Sequence, residues 1–125
     1  MTPECQSVLV VEDDPTLLEF TAEALKDDGL DVIRASDCDE AIAILESGRI
    51  PSILVTDIKL PGCASGLDLA SQVAERWPEV RLLIVSGQVR PPRGDYPEKA
   101  VFFTKPYAHG ALVSMIRNGD WQRTA

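Results

Sequence analysis

The sequence predicts an α/β fold: five parallel strands in one sheet, with helices packed on both of its faces. Three observations lead there. Short apolar runs alternate with helix-period segments along the chain. Caps, prolines and glycines mark the changes of period. The length, 125 residues, fits one domain with one core.

Ser7–Val11 (SVLVV) is a continuous apolar run with three valines, as expected of a strand buried on both faces. Asp14-Pro15 supplies an N-cap and an N1 proline for the first helix. Leu17, Thr21, Ala24, Leu25 and Asp28 repeat at helical spacing, and Gly29 is placed to end it. Asp31–Ala35 (DVIRA) alternates like a strand at or near a sheet edge. Asp37 caps the second helix with Glu40 at N3, in the manner of a capping box. Ala41, Ile42 and Leu45 form the buried stripe, and Gly48 ends that helix.

Ile53–Thr56 (ILVT) is the third strand, and Asp57–Cys63 is a loop punctuated by Pro61 and Gly62. Ser65 caps a helix whose Leu67, Ala70, Val73, Ala74 and Trp77 share a face, and Pro78 closes it. Arg81–Ser86 (RLLIVS) and Val101–Thr104 (VFFT) are the last two strands. A helix over Tyr107–Asn118 follows. Between these strands, Gln88–Ala100 holds Pro91, Pro92, Gly94 and Pro97, which predicts a loop with at most one helical turn. Strand–helix alternation implies right-handed crossovers and a parallel sheet. Five strands in this length fit a doubly wound, flavodoxin-like sheet of order 2-1-3-4-5. A single domain over residues 1–125 is expected, its core running from about Ser7 to Asn118.

Composition narrows the function. At 45% apolar and 26% charged residues the chain reads as globular. Its net charge of -8 disfavours direct nucleic-acid binding and electrostatic membrane binding. No apolar run is long enough for a membrane span, and the N-terminus does not resemble a secretory signal, so a cytoplasmic location is expected. Cys5, Cys38 and Cys63 are odd in number and widely spaced, which predicts reduced thiols. The charge is uneven: residues 1–60 hold 14 acidic and 4 basic side chains, residues 61–125 hold 6 and 8.

Ligands of open α/β sheets bind beyond the carboxyl ends of the strands, at the switch in strand order. Glu12, Asp13 and Asp14 follow the first strand, Asp57 the third, Ser86-Gly87 the fourth, and Thr104-Lys105-Pro106 the fifth. Converging carboxylates repel one another unless a cation or raised pKa values relieve them. Oxygen donors without His or Cys suit Mg²⁺. With Lys105 and Ser86 close by, these are the parts of phosphoryl transfer to a carboxylate nucleophile. No glycine-rich nucleotide cradle is present, and the single His109 has no triad partner.

VLVVEDDP, VTDIKLPG, IVSG and FFTKPY, in that order and at these intervals, resemble the response-regulator receiver domain, the CheY-like phosphoacceptor of bacterial two-component signalling. The resemblance covers Ser7 to Ile116. It implies that Asp57 accepts the phosphoryl group. It also implies that Asp13 contacts Mg²⁺ directly, Glu12 does so through water, and the backbone carbonyl of Lys59 is a further ligand. Ser86 matches the switch Ser/Thr and Lys105 the family's lysine. The Lys105–Pro106 bond matches the family's cis peptide, and Phe102 the switch aromatic. The implied donor is a sensor histidine kinase or a histidine phosphotransfer protein. On phosphorylation Ser86 moves inward, Phe102 follows, and binding of a downstream protein changes. Many receivers dimerise through the face made by residues 88–100, the fifth strand and the last helix. The proline-broken segment departs from the usual full helix. The SGQ…P…FFTKPY stretch resembles single-domain regulators of alphaproteobacterial signalling, which implies a module with no output domain of its own. Lys59, two after Asp57, borders the path of the attacking water in this family and is expected to alter the lifetime of the phosphoryl group.

Two other classes compete. A Mg²⁺-dependent phosphohydrolase with an aspartate nucleophile favours D-x-D, whereas this chain has Asp57-Ile58-Lys59. A phosphorylation-independent interaction domain would usually have lost Asp57 or Lys105.

Overall fold

The local signals are realised at nearly the predicted positions. A computed structural model describes residues 7–58, 66–86, 100–104 and 109–118. In chain order these form β1 (Ser7–Val11), α1 (Pro15–Asp27), β2 (Asp31–Ala35), α2 (Cys38–Glu46), β3 (Ile53–Asp57), α3 (Gly66–Arg76), β4 (Arg81–Ser86), β5 (Val101–Thr104) and α4 (His109–Asn118). Of the segment Gln88–Ala100, predicted as a loop with at most one helical turn, residues 88–99 lie outside the described residues. So does Ser65, the predicted cap of α3, and Tyr107, the predicted start of the last helix.

Helix ends show how sequence becomes structure. Asp14 sits in an extended conformation before α1 and its side chain accepts from Thr16 and Leu17 N–H at 2.9 and 3.3 Å. At the other end Gly29 adopts φ +88°, which costs a residue with a Cβ more than glycine. Its N–H donates to the Lys26 carbonyl, and Leu30 N–H donates to the Leu25 carbonyl, the paired bonds of a Schellman stop. Leu25 and Leu30 are buried in the same core cluster, adding the apolar contact such stops favour. Asp37 caps α2 by accepting from Glu40 N–H at 2.7 Å. Glu40 does not return the bond to Asp37 as a capping box would. It accepts instead from the N–H and hydroxyl of Ser36 at 2.8 and 3.0 Å.

The strands form one parallel sheet in the order β2-β1-β3-β4-β5. β1 and β3 are almost wholly buried, because helices cover both faces. β2 is one of the two edge strands; Asp31 is exposed, Val32 and Arg34 are half-buried, and Ile33 and Ala35 are buried. Leu9, Val11, Leu54, Leu82 and Ile84 pack with residues of α2 and α3 on one face. Val8, Val10, Ile53, Val55, Leu83 and Val85 pack with Leu25 of α1 and with Leu112 and Ile116 of α4 on the other. On the surface, Arg76 joins Glu46 across α3 and α2 at 2.8 Å and lies 4.4 Å from the centre of the Trp77 ring. Exposed contacts of this kind contribute at most about 1 kcal/mol.

The structure also corrects the expected state of a cysteine. Cys38, 1% exposed in the α2–α3 core, is disulfide-bonded, with its partner outside the described residues. The predicted reduced thiol therefore does not hold at this position. No helix among the described residues is long and apolar enough to cross a membrane.

Candidate functional site

The strand order reverses between β1 and β3, which run side by side in register from Val8↔Ile53 to Val11↔Thr56. Glu12 follows the last paired residue of β1, and Asp57 follows its partner Thr56. The two carboxylates thus leave adjacent strands at the same level. Asp57 pairs in turn with Val85 of β4, so Ser86 stands one position further on beside it. Ser86 pairs with Thr104, the last residue of β5. The topology brings Glu12, Asp13, Asp57 and Ser86 to one end of the sheet.

Local bonding separates the acidic residues. Glu12 is half-buried: its N–H donates to the Ala35 carbonyl at 3.1 Å, and its Oε2 accepts from Asp14 N–H at 3.1 Å. Asp13 is exposed beyond it. Asp14 is occupied at the N-terminus of α1, the capping role its position predicts. Asp57 is half-buried at the C-terminal end of β3, one residue beyond the strand predicted from the apolar run. The peptides on both sides of Ile58 are tied down, since Ile58 N–H donates to the Val85 carbonyl at 3.2 Å and Gly66 N–H donates to the Ile58 carbonyl. Phe102 pairs with Ile84 and is half-buried against the α2–α3 core, so it is at least a packing residue.

Lys59, Lys105 and Pro106 lie outside the described residues, as does the expected cis bond between the last two. Among the described residues no three His, Cys, Asp or Glu side chains gather into a group able to hold a metal ion. Mg²⁺ asks for less: it keeps several waters and takes one or two carboxylates with phosphate oxygens. Glu12, Asp13 and Asp57 offer oxygen donors alone, so the donor chemistry fits that ion.

Two residues at the site were not singled out by sequence reasoning. Thr56, 1% exposed, donates its hydroxyl to the Asp57 carbonyl at 2.9 Å. Gly66 opens α3 against the main chain of Asp57 and Ile58. A hydroxyl inside the apolar run ILVT was the available signal for Thr56, because a buried hydroxyl needs an acceptor. Gly66 had no comparable signal. Elsewhere on the surface, Pro15, Thr16, Glu19, Phe20 and Glu23 line a shallow hollow on α1, with Phe20 62% exposed.

An open five-stranded parallel sheet in this strand order, with Glu12 and Asp57 following neighbouring strands at its switch point, defines a doubly wound α/β domain of flavodoxin-like topology. Residues 8–117 match the response regulator receiver domain, and the chain belongs to that family. The transcriptional regulatory protein AruR of Pseudomonas aeruginosa is 34% identical over 123 residues, covering 89% of this chain and 48% of AruR. The probable transcriptional regulatory protein TcrX of Mycobacterium tuberculosis is 34% identical over 82 residues, covering 66% of this chain and 34% of TcrX. The chain thus spans less than half the length of either relative. A CheY-like receiver domain protein from Methanospirillum hungatei superposes with a TM-score of 0.81 at 24% identity, covering 91% of this chain and 92% of its own. The chemotaxis response regulator CheY4 of Vibrio cholerae gives a TM-score of 0.81 at 19% identity, covering 94% of this chain and all of CheY4. At these identities the two structures show a shared fold.

Proposed function

We propose that this domain is a Mg²⁺-dependent phosphoacceptor in which Asp57 receives a phosphoryl group from a phosphohistidine of a sensor kinase or phosphotransfer protein. The observation that carries the reading is the place of Asp57. In a receiver-family chain, it ends the strand beside β1 at the switch in strand order, level with Glu12. A carboxylate oxygen of Asp57 attacks phosphorus as the P–N bond of the donor breaks, and the imidazole departs with the bonding pair. Such transfer depends on positioning and charge stabilisation. Asp13, Glu12 through water, Asp57 and the Lys59 carbonyl would hold the ion. When bound, Mg²⁺ neutralises charge on the transferring phosphoryl oxygens. Lys105 pairs with the phosphoryl group and Ser86 donates a hydrogen bond to it. The ordering of Ser86 draws Phe102 inward and changes the face presented to a downstream protein, a population shift between two packings. In this reading residues 1–125 form one domain of a cytoplasmic signalling protein, acting as a switch rather than an enzyme.

The decisive experiment is incubation with a small acyl phosphate, with and without Mg²⁺. One stable, acid-labile aspartyl phosphate per chain, formed only with Mg²⁺, is the expected result. Rapid multiple turnover would mark a phosphohydrolase instead, and no labelling would mark a phosphorylation-independent interaction domain.

Lys59 sets a second expectation. In this family the side chain two residues after the phosphoacceptor borders the path of the attacking water, and here that residue is the cationic Lys59. Replacing it with Asn is expected to change the first-order dephosphorylation rate a few-fold, equivalent to about 1 kcal/mol of barrier. Equal rates for the wild type and Lys59→Asn would remove Lys59 from control of the lifetime.

A further inference from the structure

Thr56 is the only residue with a polar side chain among Ile53–Thr56, and it is as buried as its apolar neighbours. A buried hydroxyl is costly unless it is hydrogen-bonded. Here the acceptor is the main-chain carbonyl of the phosphoacceptor itself. Gly66 meets the same carbonyl from α3. A Cβ at Gly66 would overlap the Asp57 carbonyl oxygen and would lie 2.8 Å from the carbonyl carbon and 3.0 Å from the Ile58 Cα. Nothing there is a flexible side-chain end that could move aside, so any side chain at 66 must displace the backbone. The glycine also donates its N–H to the Ile58 carbonyl, while Ile58 donates to Val85 across the ladder. The peptide joining Asp57 to Ile58 is therefore bonded by its own strand and by β4 and packed against by the start of α3, which also bonds the peptide after it.

We propose that Thr56 and Gly66 are positioning residues for the phosphoacceptor, fixing the Asp57 carboxylate by clamping its carbonyl. The inference rests on the reading of Asp57 given above. The carboxylate hangs from a Cα one bond from the clamped carbonyl carbon, so rotation of that peptide swings the nucleophile. In-line attack needs reacting atoms within about 3–3.5 Å, and a misplacement of about 1 Å can cost on the order of 100-fold in rate. Thr56 contributes a hydrogen bond that valine, of nearly the same shape, cannot make. Gly66 contributes the absence of a side chain.

The test is single-turnover phosphorylation by a small acyl phosphate at saturating donor and Mg²⁺, read as a rate constant and an amplitude. A purely structural role would lower the amplitude with the folded fraction and leave the rate constant unchanged. Thr56→Val is expected to lower the rate constant about 10-fold, Thr56→Ser to return it to within about twofold of wild type, and Gly66→Ala to lower it up to about 100-fold. Gly110→Ala, where a Cβ meets open space, should keep the wild-type rate. Gly66→Ala can fail to fold; Thr56→Val, which keeps shape and burial, then decides. A folded Thr56→Val with the wild-type rate constant would overturn the proposal, as would a Thr56→Ser as slow as Thr56→Val. Labelling of the wild type at Asp57 in that same experiment would leave the parent reading standing. A wild type that takes no label overturns both.

Discussion

Asp57→Asn is expected to abolish phosphorylation by acyl phosphates and by phosphohistidine donors, a loss of at least about 1,000-fold, or about 4 kcal/mol of barrier. The amide matches the carboxylate in shape but has no anionic oxygen to attack phosphorus. The fold should survive, because Asp57 is half-buried at a strand end and pairs with Val85 through its main chain. Without Mg²⁺ the variant should be as stable as wild type or slightly more so. It carries one negative charge fewer at the strand ends that bear Glu12 and Asp13, and like charges at one site repel. With Mg²⁺ the order should reverse. A ligand that binds only the folded state stabilises it according to its affinity, and the variant offers a poorer oxygen donor. The checks are radiolabel incorporation and thermal melting with and without the ion. Incorporation at the wild-type rate would place the acceptor elsewhere.

The inner strands and β2 were legible because burial on both faces and alternation at an edge leave different sequence patterns. SVLVV became the buried β1 and DVIRA the alternating edge strand β2. Asp14-Pro15 and Gly29 marked the ends of α1 through backbone needs that no tertiary contact has to supply. The acidic end of the sheet was legible too, since strand order follows from the alternation of elements and the carboxylates follow their strands. Other features depend on what the sheet brings together. Glu40 turned to Ser36 because the chain leaving β2 presents a hydroxyl and an N–H to it at once. Asp57 joined β3 because β4 offers Val85 as a partner. The Gly66 contact exists only when α3 docks on β3, and neither segment announces it alone. The Cys38 disulfide likewise depends on tertiary proximity, which cysteine spacing does not encode.

Leu25→Ala is expected to cost about 3 kcal/mol of stability while leaving the phosphorylation rate constant unchanged. Leu25 is fully buried and packs with Val8, Val10 and Leu112 in the α1–α4 core. Truncating a buried leucine loses its transfer free energy and leaves a cavity, together typically 2–5 kcal/mol. The same leucine is the apolar partner of Leu30 in the stop of α1, so the turn into β2 loosens as well. A domain with about 5–15 kcal/mol in hand remains mostly folded after such a loss. The site should not sense it. Leu25 lies ten residues along α1 from Pro15, and α1 rises about 1.5 Å per residue, so the cavity opens about 15 Å from the helix end that adjoins Glu12 to Asp14. Urea unfolding should give a lower midpoint with an unchanged slope, which signals lost stability with no change in the surface exposed. Single-turnover labelling should give the wild-type rate constant, with a smaller amplitude only where unfolded chain accumulates. A slower rate constant at full amplitude would mean that α1 transmits strain from its far end to the acidic site, and that core and site are one mechanical unit.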